Sequence, residues 1–121
     1  MTPFTQKVIL IIQSIPEGSV MTYGGIARAA GSPRAARQVV RILHSMSRKY
    51  KLPWHRVINA KGMISLTEDE SASLQRLYLT GEGIVFDERG VVDLDRYQYI
   101  PALELDMELE LPADSGDEGE A

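Results

Sequence analysis

The chain has 121 residues, enough for one domain with a single modest core, and carries a formal net charge of −4 with no cysteine. The missing thiols exclude disulfides, thiolate metal sites and thiolate nucleophiles, and the two histidines, His44 and His55, give no metal-ligand spacing. No apolar run reaches the roughly 18 residues of a membrane span and no secretory leader pattern opens the chain, so a soluble, cytoplasmic protein with no membrane partner is expected; a monomer without metal or cofactor is a separate expectation.

Thr2 and Pro3 make an N-cap and first helical position, and Phe4, Val8, Ile11, Ile12 and Ile15 repeat at helical spacing up to Pro16-Glu17-Gly18. A first helix is predicted, although the run from Val8 to Ile12 is strand-like by propensity. Thr22 can cap a second helix from Tyr23 through Ala30, with Gly31 in the position that tolerates left-handed dihedrals. Ser32 and Pro33 start a third at once, and two helices joined by a short Gly-containing turn have the form of a helix-turn-helix. Counted from Arg34 at about 100° per residue, Arg37, Arg41 and Arg48 fall with it in a stripe about 60° wide. Ala35, Ala36, Val39, Val40, Leu43 and Met46 lie on the other side and are expected to pack.

After Pro53, Arg56–Ile58, a turn at Asn59-Ala60-Lys61-Gly62 and Met63–Ser65 suggest a small β-hairpin, which would form a wing beside the helices. Thr67 to Glu70 read as a capping box for a helix to about Thr80, with Leu74 and Leu77 inward. Strand-like pieces follow at Ile84–Phe86 and Val91–Val92, and Leu94 and Tyr97 close a domain spanning residues 1–100. Residues 101–121 form an acidic C-terminal tail in which Leu103, Leu105, Met107, Leu109 and Leu111 alternate with acids. Solvated chain, a competitor for the basic face and a partner-binding segment are all compatible with that pattern.

The tail carries eight acids and no base, so residues 1–100 hold nine acids against thirteen Lys and Arg. No acid occurs between Gly18 and Thr67, where nine of those bases lie. A one-signed segment of this kind, with an arginine-striped helix inside it, points to phosphates; a solvated face is the alternative. "LPWHRVIN" says less by itself. A lone His after an aromatic is ordinarily structural, and Trp54 is a donor and no nucleophile.

Read together, "FTQKVILIIQSIPEGSVMTYGGIARAAGSPRAARQVVRIL", "PWHRVINAKGMIS" and "GEGI" resemble the DNA-binding domain of the O6-alkylguanine-DNA alkyltransferases over about residues 4–86. That family carries Pro-Cys-His-Arg-Val, whose cysteine accepts an alkyl group from a flipped guanine. With Trp54 at the cysteine position, the chain looks like the alkyltransferase-like proteins, which recognise the lesion without repairing it. The resemblance implies a mainly α, winged helix-turn-helix-like fold with a small β-hairpin. It also implies no cofactor, double-stranded DNA containing O6-alkylguanine as partner, minor-groove binding with nucleotide flipping, and hand-over to nucleotide excision repair proteins.

Position by position, the resemblance makes Tyr23 the residue that rotates the target nucleotide and Arg37 the one that fills the vacated stack. Trp54 lines the lesion pocket, and His55 and Glu82 are remnants of a proton relay. Arg34, Ala35, Ala36, Arg41 and Arg56 are further candidates for the DNA-binding surface, with Arg56 either structural or DNA-facing. Met46 stands where transferases usually have an Asn. Two other functions compete: a methyltransferase-type enzyme, which the absence of cysteine opposes, and a winged-helix transcription regulator reading major-groove edges.

Overall fold

Thr2 begins α1 (Pro3–Gln13) with its hydroxyl accepting the Thr5 amide at 3.1 Å, which satisfies one of the amides left open in a first turn. The computed structural model describes residues 1–65 and 70–101. Val8, Ile9, Ile11 and Ile12 are buried on α1, whereas Leu10 between them is 59% exposed. One-sided burial therefore outweighs the strand propensity of the run.

The chain continues through β1 (Met21–Thr22), α2 (Tyr23–Ala29), α3 (Ala36–Tyr50), a 3₁₀ turn (Trp54–Arg56), β2 (Val57–Ile58), α4 (Glu70–Gly81) and α5 (Leu94–Tyr97). The fold is mainly helical, as expected, and contains a small two-stranded sheet. Thr22 caps α2 by accepting the Gly25 amide at 2.9 Å. Gly31, at φ +93°, ends the α2 region with the Ser32 amide bonded to the Ala27 carbonyl, a left-handed helix stop.

The third helix starts later than the sequence suggests. Pro33 and Arg34 occupy a turn, closed by the Ala35 amide on the Ser32 carbonyl at 2.9 Å, so Arg34 precedes the helix whose stripe it was assigned to. α1, α2 and α3 pack around Ile11, Ile12, Ile26 and Val39, with Leu52 and Val57 completing that core. Val40, placed on the packing side by the wheel, is 44% exposed.

The expected hairpin is replaced by a different pairing. The Asn59–Gly62 turn forms, with the Asn59 side chain accepting the Lys61 and Met63 amides. Val57 and Ile58, however, pair in parallel with Met21 and Thr22, in the register Met21↔Val57 and Thr22↔Ile58. Val57 and Ile58 are 1% and 0% exposed, and a strand covered on both faces belongs inside a sheet and not in a half-wet hairpin. Val20 bridges Gln98 in parallel on the other edge of β1.

A second apolar cluster of Val20, Ile58, Leu79, Ile84 and Val92 ties this sheet to α4 and to the segment after it. In that later segment the two strand-like pieces meet only at an isolated Phe86↔Val92 bridge. Gly62, at φ +80°, lets the turn sit against Val92; an added Cβ would stand 2.6 Å from the Val92 carbonyl oxygen. On α4 the inward residues are Gln75 and Leu79, whereas Leu74 and Leu77 are 38% and 65% exposed. The helix meets the Trp54–Arg56 turn through a polar position, which apolar spacing cannot reveal. The capping-box residues 67–69 and the acidic tail from residue 102 lie outside the described residues.

Candidate nucleic-acid interface

Glu82, just beyond α4, organises the stretch that carries "PWHRV". Its carboxylate accepts from the Gly18 amide at 3.0 Å, from His55 Nε2 at 2.8 Å and from Arg56 Nε and Nη2 at 3.0 and 2.7 Å. Burial by itself raises the Glu82 pKa, but the Arg56, Gly18 and His55 hydrogen bonds and the Arg56 charge together outweigh it, and the group is lowered to about 2. Arg56 also donates from Nη1 to the Ile15 carbonyl at 2.9 Å.

Arg56, grouped by sequence with the DNA-binding residues, is thus turned inward. Its guanidinium spans the α1 exit and Glu82, and its hydrogen bonds are committed there. The predicted relay pair His55 and Glu82 is in direct contact, although no thiol accompanies it in a chain without cysteine.

This bracket fixes Trp54 at the head of the 3₁₀ turn, where its ring stands edge-on to His55 and to Tyr78 at centroid distances of 6.1 and 6.2 Å. Trp54 and Tyr23 line one cleft of about 310 Å³. From α3, Val40, Leu43, His44 and Ser47 contribute to it; Val57, Ser71 and Gln75 supply the remainder. The volume is at the lower end of the roughly 300–1,000 Å³ of small-ligand pockets. Tyr23 opens α2 directly after the sheet, and its hydroxyl lies 2.9 Å from Ser65 Oγ.

The arginines form a separate feature. Arg34, Ala35 and Arg37 line an open depression of about 430 Å³ at the α2–α3 turn, with Ser32, Pro33 and Gln38. Ala35 stands at the N-cap of α3 without a side-chain cap, so the helix begins with open amides at a surface already rich in positive charge. Arg37, Arg41 and Arg48 follow along the exposed face. None of these four guanidinium groups has a hydrogen-bond or ion-pair partner among the described residues. Ala36 is half-buried at the first turn of α3.

The structure therefore joins Tyr23 with Trp54, and Arg34 and Ala35 with Arg37. It adds Val40, His44, Ser47 and Gln75, which sequence reasoning missed. Val40 and His44 sit where the arginine stripe meets the apolar face of α3, and that boundary was their only signal. Gln75 gave none.

Residues 3–84 match the family described as the DNA binding domain of 6-O-methylguanine DNA methyltransferase. A DNA base-flipping protein of Escherichia coli (strain K12) is 48% identical over 96 residues, covering 79% of this chain and 74% of the relative. The crystal structure of Schizosaccharomyces pombe Atl1 in complex with damaged DNA containing O6-carboxymethylguanine is similar with a TM-score of 0.67 and 38% identity, covering 81% of this chain and 95% of that one. Mycobacterium tuberculosis O6-methylguanine methyltransferase is similar with a TM-score of 0.53 and 31% identity, over 68% of this chain and 49% of that protein.

Proposed function

The chain belongs to the family of the 6-O-methylguanine DNA methyltransferase DNA-binding domain, and from that premise we propose that it is a non-enzymatic recognition protein for O6-alkylguanine in double-stranded DNA. The observation that carries this reading is the position of Trp54. An indole stands on the wall of the cleft, at the head of the "WHRV" turn, in a chain that has no cysteine anywhere to receive an alkyl group.

The free guanidinium groups of α3 and its preceding turn meet the phosphates, and counterion release supplies affinity without regard to sequence. Arg37 enters the stack and replaces the extruded nucleotide, a task suited to a planar, permanently charged group. Tyr23 guides the rotation of that nucleotide and the cleft receives its base. Flipping costs a few kcal/mol, less for a base that pairs poorly, and stacking or apolar contact with Trp54 offsets part of it. With no acceptor for the alkyl group, the complex persists and is passed to nucleotide excision repair proteins.

Support for the reading comes from relatives named for base flipping and for alkyltransferase likeness. It is tested with a duplex carrying radiolabelled O6-methylguanine: the protein binds it more tightly than the unmodified duplex, and all label stays on the DNA. Stoichiometric label on the protein, or equal affinity for both duplexes, overturns it. The hand-over is tested separately by the incision rate of reconstituted excision-repair proteins on the same duplex, which rises when the chain is added; an unchanged rate removes that step.

A further inference from the structure

Arg34, Arg37, Arg41 and Arg48 form a patch that nothing in its own stretch of chain can neutralise. No acid occurs between Gly18 and Thr67, and both ion pairs among the described residues are made by Glu82, which is committed to His55 and Arg56. Ordinary solvated surfaces intersperse the two signs of charge. Here the opposite sign is gathered elsewhere in the same molecule. Residues 102–121 carry eight acids and no base, enough to turn the +4 of residues 1–101, thirteen bases less nine acids, into the −4 of the whole chain. In the first half of that segment Glu104, Asp106, Glu108 and Glu110 alternate with Leu and Met. Val40, 44% exposed, borders the arginine stripe on the side of the cleft. A segment with acids on one edge and apolar side chains on the other therefore matches the arginines and their apolar border together.

We propose that residues 102–121 dock on the arginine face of α3 and compete there with DNA. The described chain ends close to that face. Tyr99 donates its amide to the Val20 carbonyl at 2.8 Å and packs on the cluster that α1, α2 and α3 share, and Gln98 Nε2 lies 3.7 Å from where a Cβ on Gly25 of α2 would stand. Pro101 is buried two residues later, so the acidic segment starts near those helices. At about 3.3 Å per residue, residues 102–121 reach up to about 66 Å, about three times the length of the 15-residue α3 at about 1.5 Å per residue. Drawn out, alternate acids recur about every 6.6 Å, and Arg37 and Arg41, four residues apart, stand about 6 Å from each other along the helix axis. A tethered segment acts at a high effective concentration, so exposed ion pairs of small individual worth suffice to hold it. Arginines covered in this way have released their counterions before DNA arrives, which lowers the affinity for DNA and flattens its dependence on salt. The inference rests on the basic face and not on recognition of a modified base, so the labelled-duplex experiment and the one below can fail independently.

The test uses the full chain, in which the absence of cysteine makes a single thiol label site-specific. A nitroxide attached to Ala113→Cys is expected to broaden the amide resonances of Arg37, Val40 and Arg41 in NMR spectra at about 0.01 M salt, where the screening length is about 30 Å, and to spare them at about 1 M, where it is about 3 Å. An unmodified duplex should displace the segment and sharpen the same resonances. No broadening of α3, or broadening centred instead on the exposed Leu74 and Leu77 of α4, overturns the assignment. Competition is measured with a second full-length variant that combines Glu104→Gln, Asp106→Asn, Glu108→Gln and Glu110→Gln. At low salt its affinity for an unmodified duplex is expected to exceed the parent's by about fivefold to tenfold, the worth of two or three exposed ion pairs, with the gap closing as salt is raised. The same four substitutions should abolish the broadening. Equal affinities of variant and parent at low salt, or broadening that survives the neutralisation, overturn the proposal.

Discussion

Replacing Glu82 with Gln preserves the shape of the bracket and removes its charge, which makes the energetic role of that charge measurable. In the parent, the carboxylate accepts from Gly18, His55 and two nitrogens of Arg56 at 2.7–3.0 Å. An amide can still accept at one atom, but its NH₂ end faces donors, and the Arg56 guanidinium is left part-buried without a counter-charge. The lowering of the Glu82 pKa from 4.5 to about 2 corresponds to about 3 kcal/mol of linkage. The two side chains remain 12% and 18% exposed, so solvent screening reduces this to about 2 kcal/mol. At about 4–8 °C per kcal/mol for a domain of this size, the midpoint should fall by roughly 10–15 °C at pH 7.

Because the folded carboxylate has the lower pKa, its stabilisation is complete above about pH 5 and is lost as pH falls from 4.5 through 2. Thermal unfolding followed by circular dichroism at steps from pH 7 to pH 2 should show the parent and Glu82→Gln converging in acid. Equal midpoints at pH 7, or a gap that persists at pH 2, would refute the reasoning.

Arg37→Ala should weaken binding to an O6-methylguanine duplex by about 1–3 kcal/mol in anisotropy titrations, because the flipped state loses the group that fills the stack; parent-like affinity removes that role. Arg34→Ala should weaken binding to modified and intact duplexes alike and lower the slope of log K against log salt by about 1, a change absent if Arg34 touches no phosphate. Gly62→Ala should destabilise the fold by about 2–4 kcal/mol, since the added Cβ combines an unfavourable φ with the 2.6 Å approach to the Val92 carbonyl; a melting temperature within 2 °C of the parent contradicts it. Trp54→Cys should introduce a reactive thiol but transfer alkyl groups poorly, because Met46 occupies the position where transferases usually have an Asn; single-turnover rates at the family level would show that this difference is harmless.

The helical part of the fold was legible because its signals are local: Thr2 and Thr22 cap, Gly31 stops, and apolar residues repeat on α1 and α3. The sheet was not. Two residues at 21–22 pair with two at 57–58, and neither pair is long enough to show a periodicity or to reveal a partner so distant in sequence. Residues 59–62 contain a genuine turn signal, which invited the hairpin; burial of Val57 and Ile58 on both faces decided against it. At the site, motif likeness pointed to Tyr23 and Trp54, which line one cleft, and to Arg37, which lies apart from it at the α2–α3 turn. Arg56 was left between a structural and a DNA-facing role because a charge in a sequence does not disclose its direction, and Glu82, the partner that makes it structural, lies 26 residues away. Gln75 stayed hidden because a polar residue on an exposed-looking helix has no signature of burial.

The hydrogen bonds that set the backbone around residue 54 draw on no polar group of its own side chain, which contributes through ring packing on His55 and Tyr78. The turn is set by main-chain bonds from Trp54 to Leu52 and from Arg56 to Pro53, and by the grip of Glu82 on residues 55 and 56. Among the described residues no hydrogen bond to the indole takes part. The hydrogen-bonded frame therefore does not depend on the chemistry borne at position 54, so on such a scaffold holding a base and reacting with it are separable.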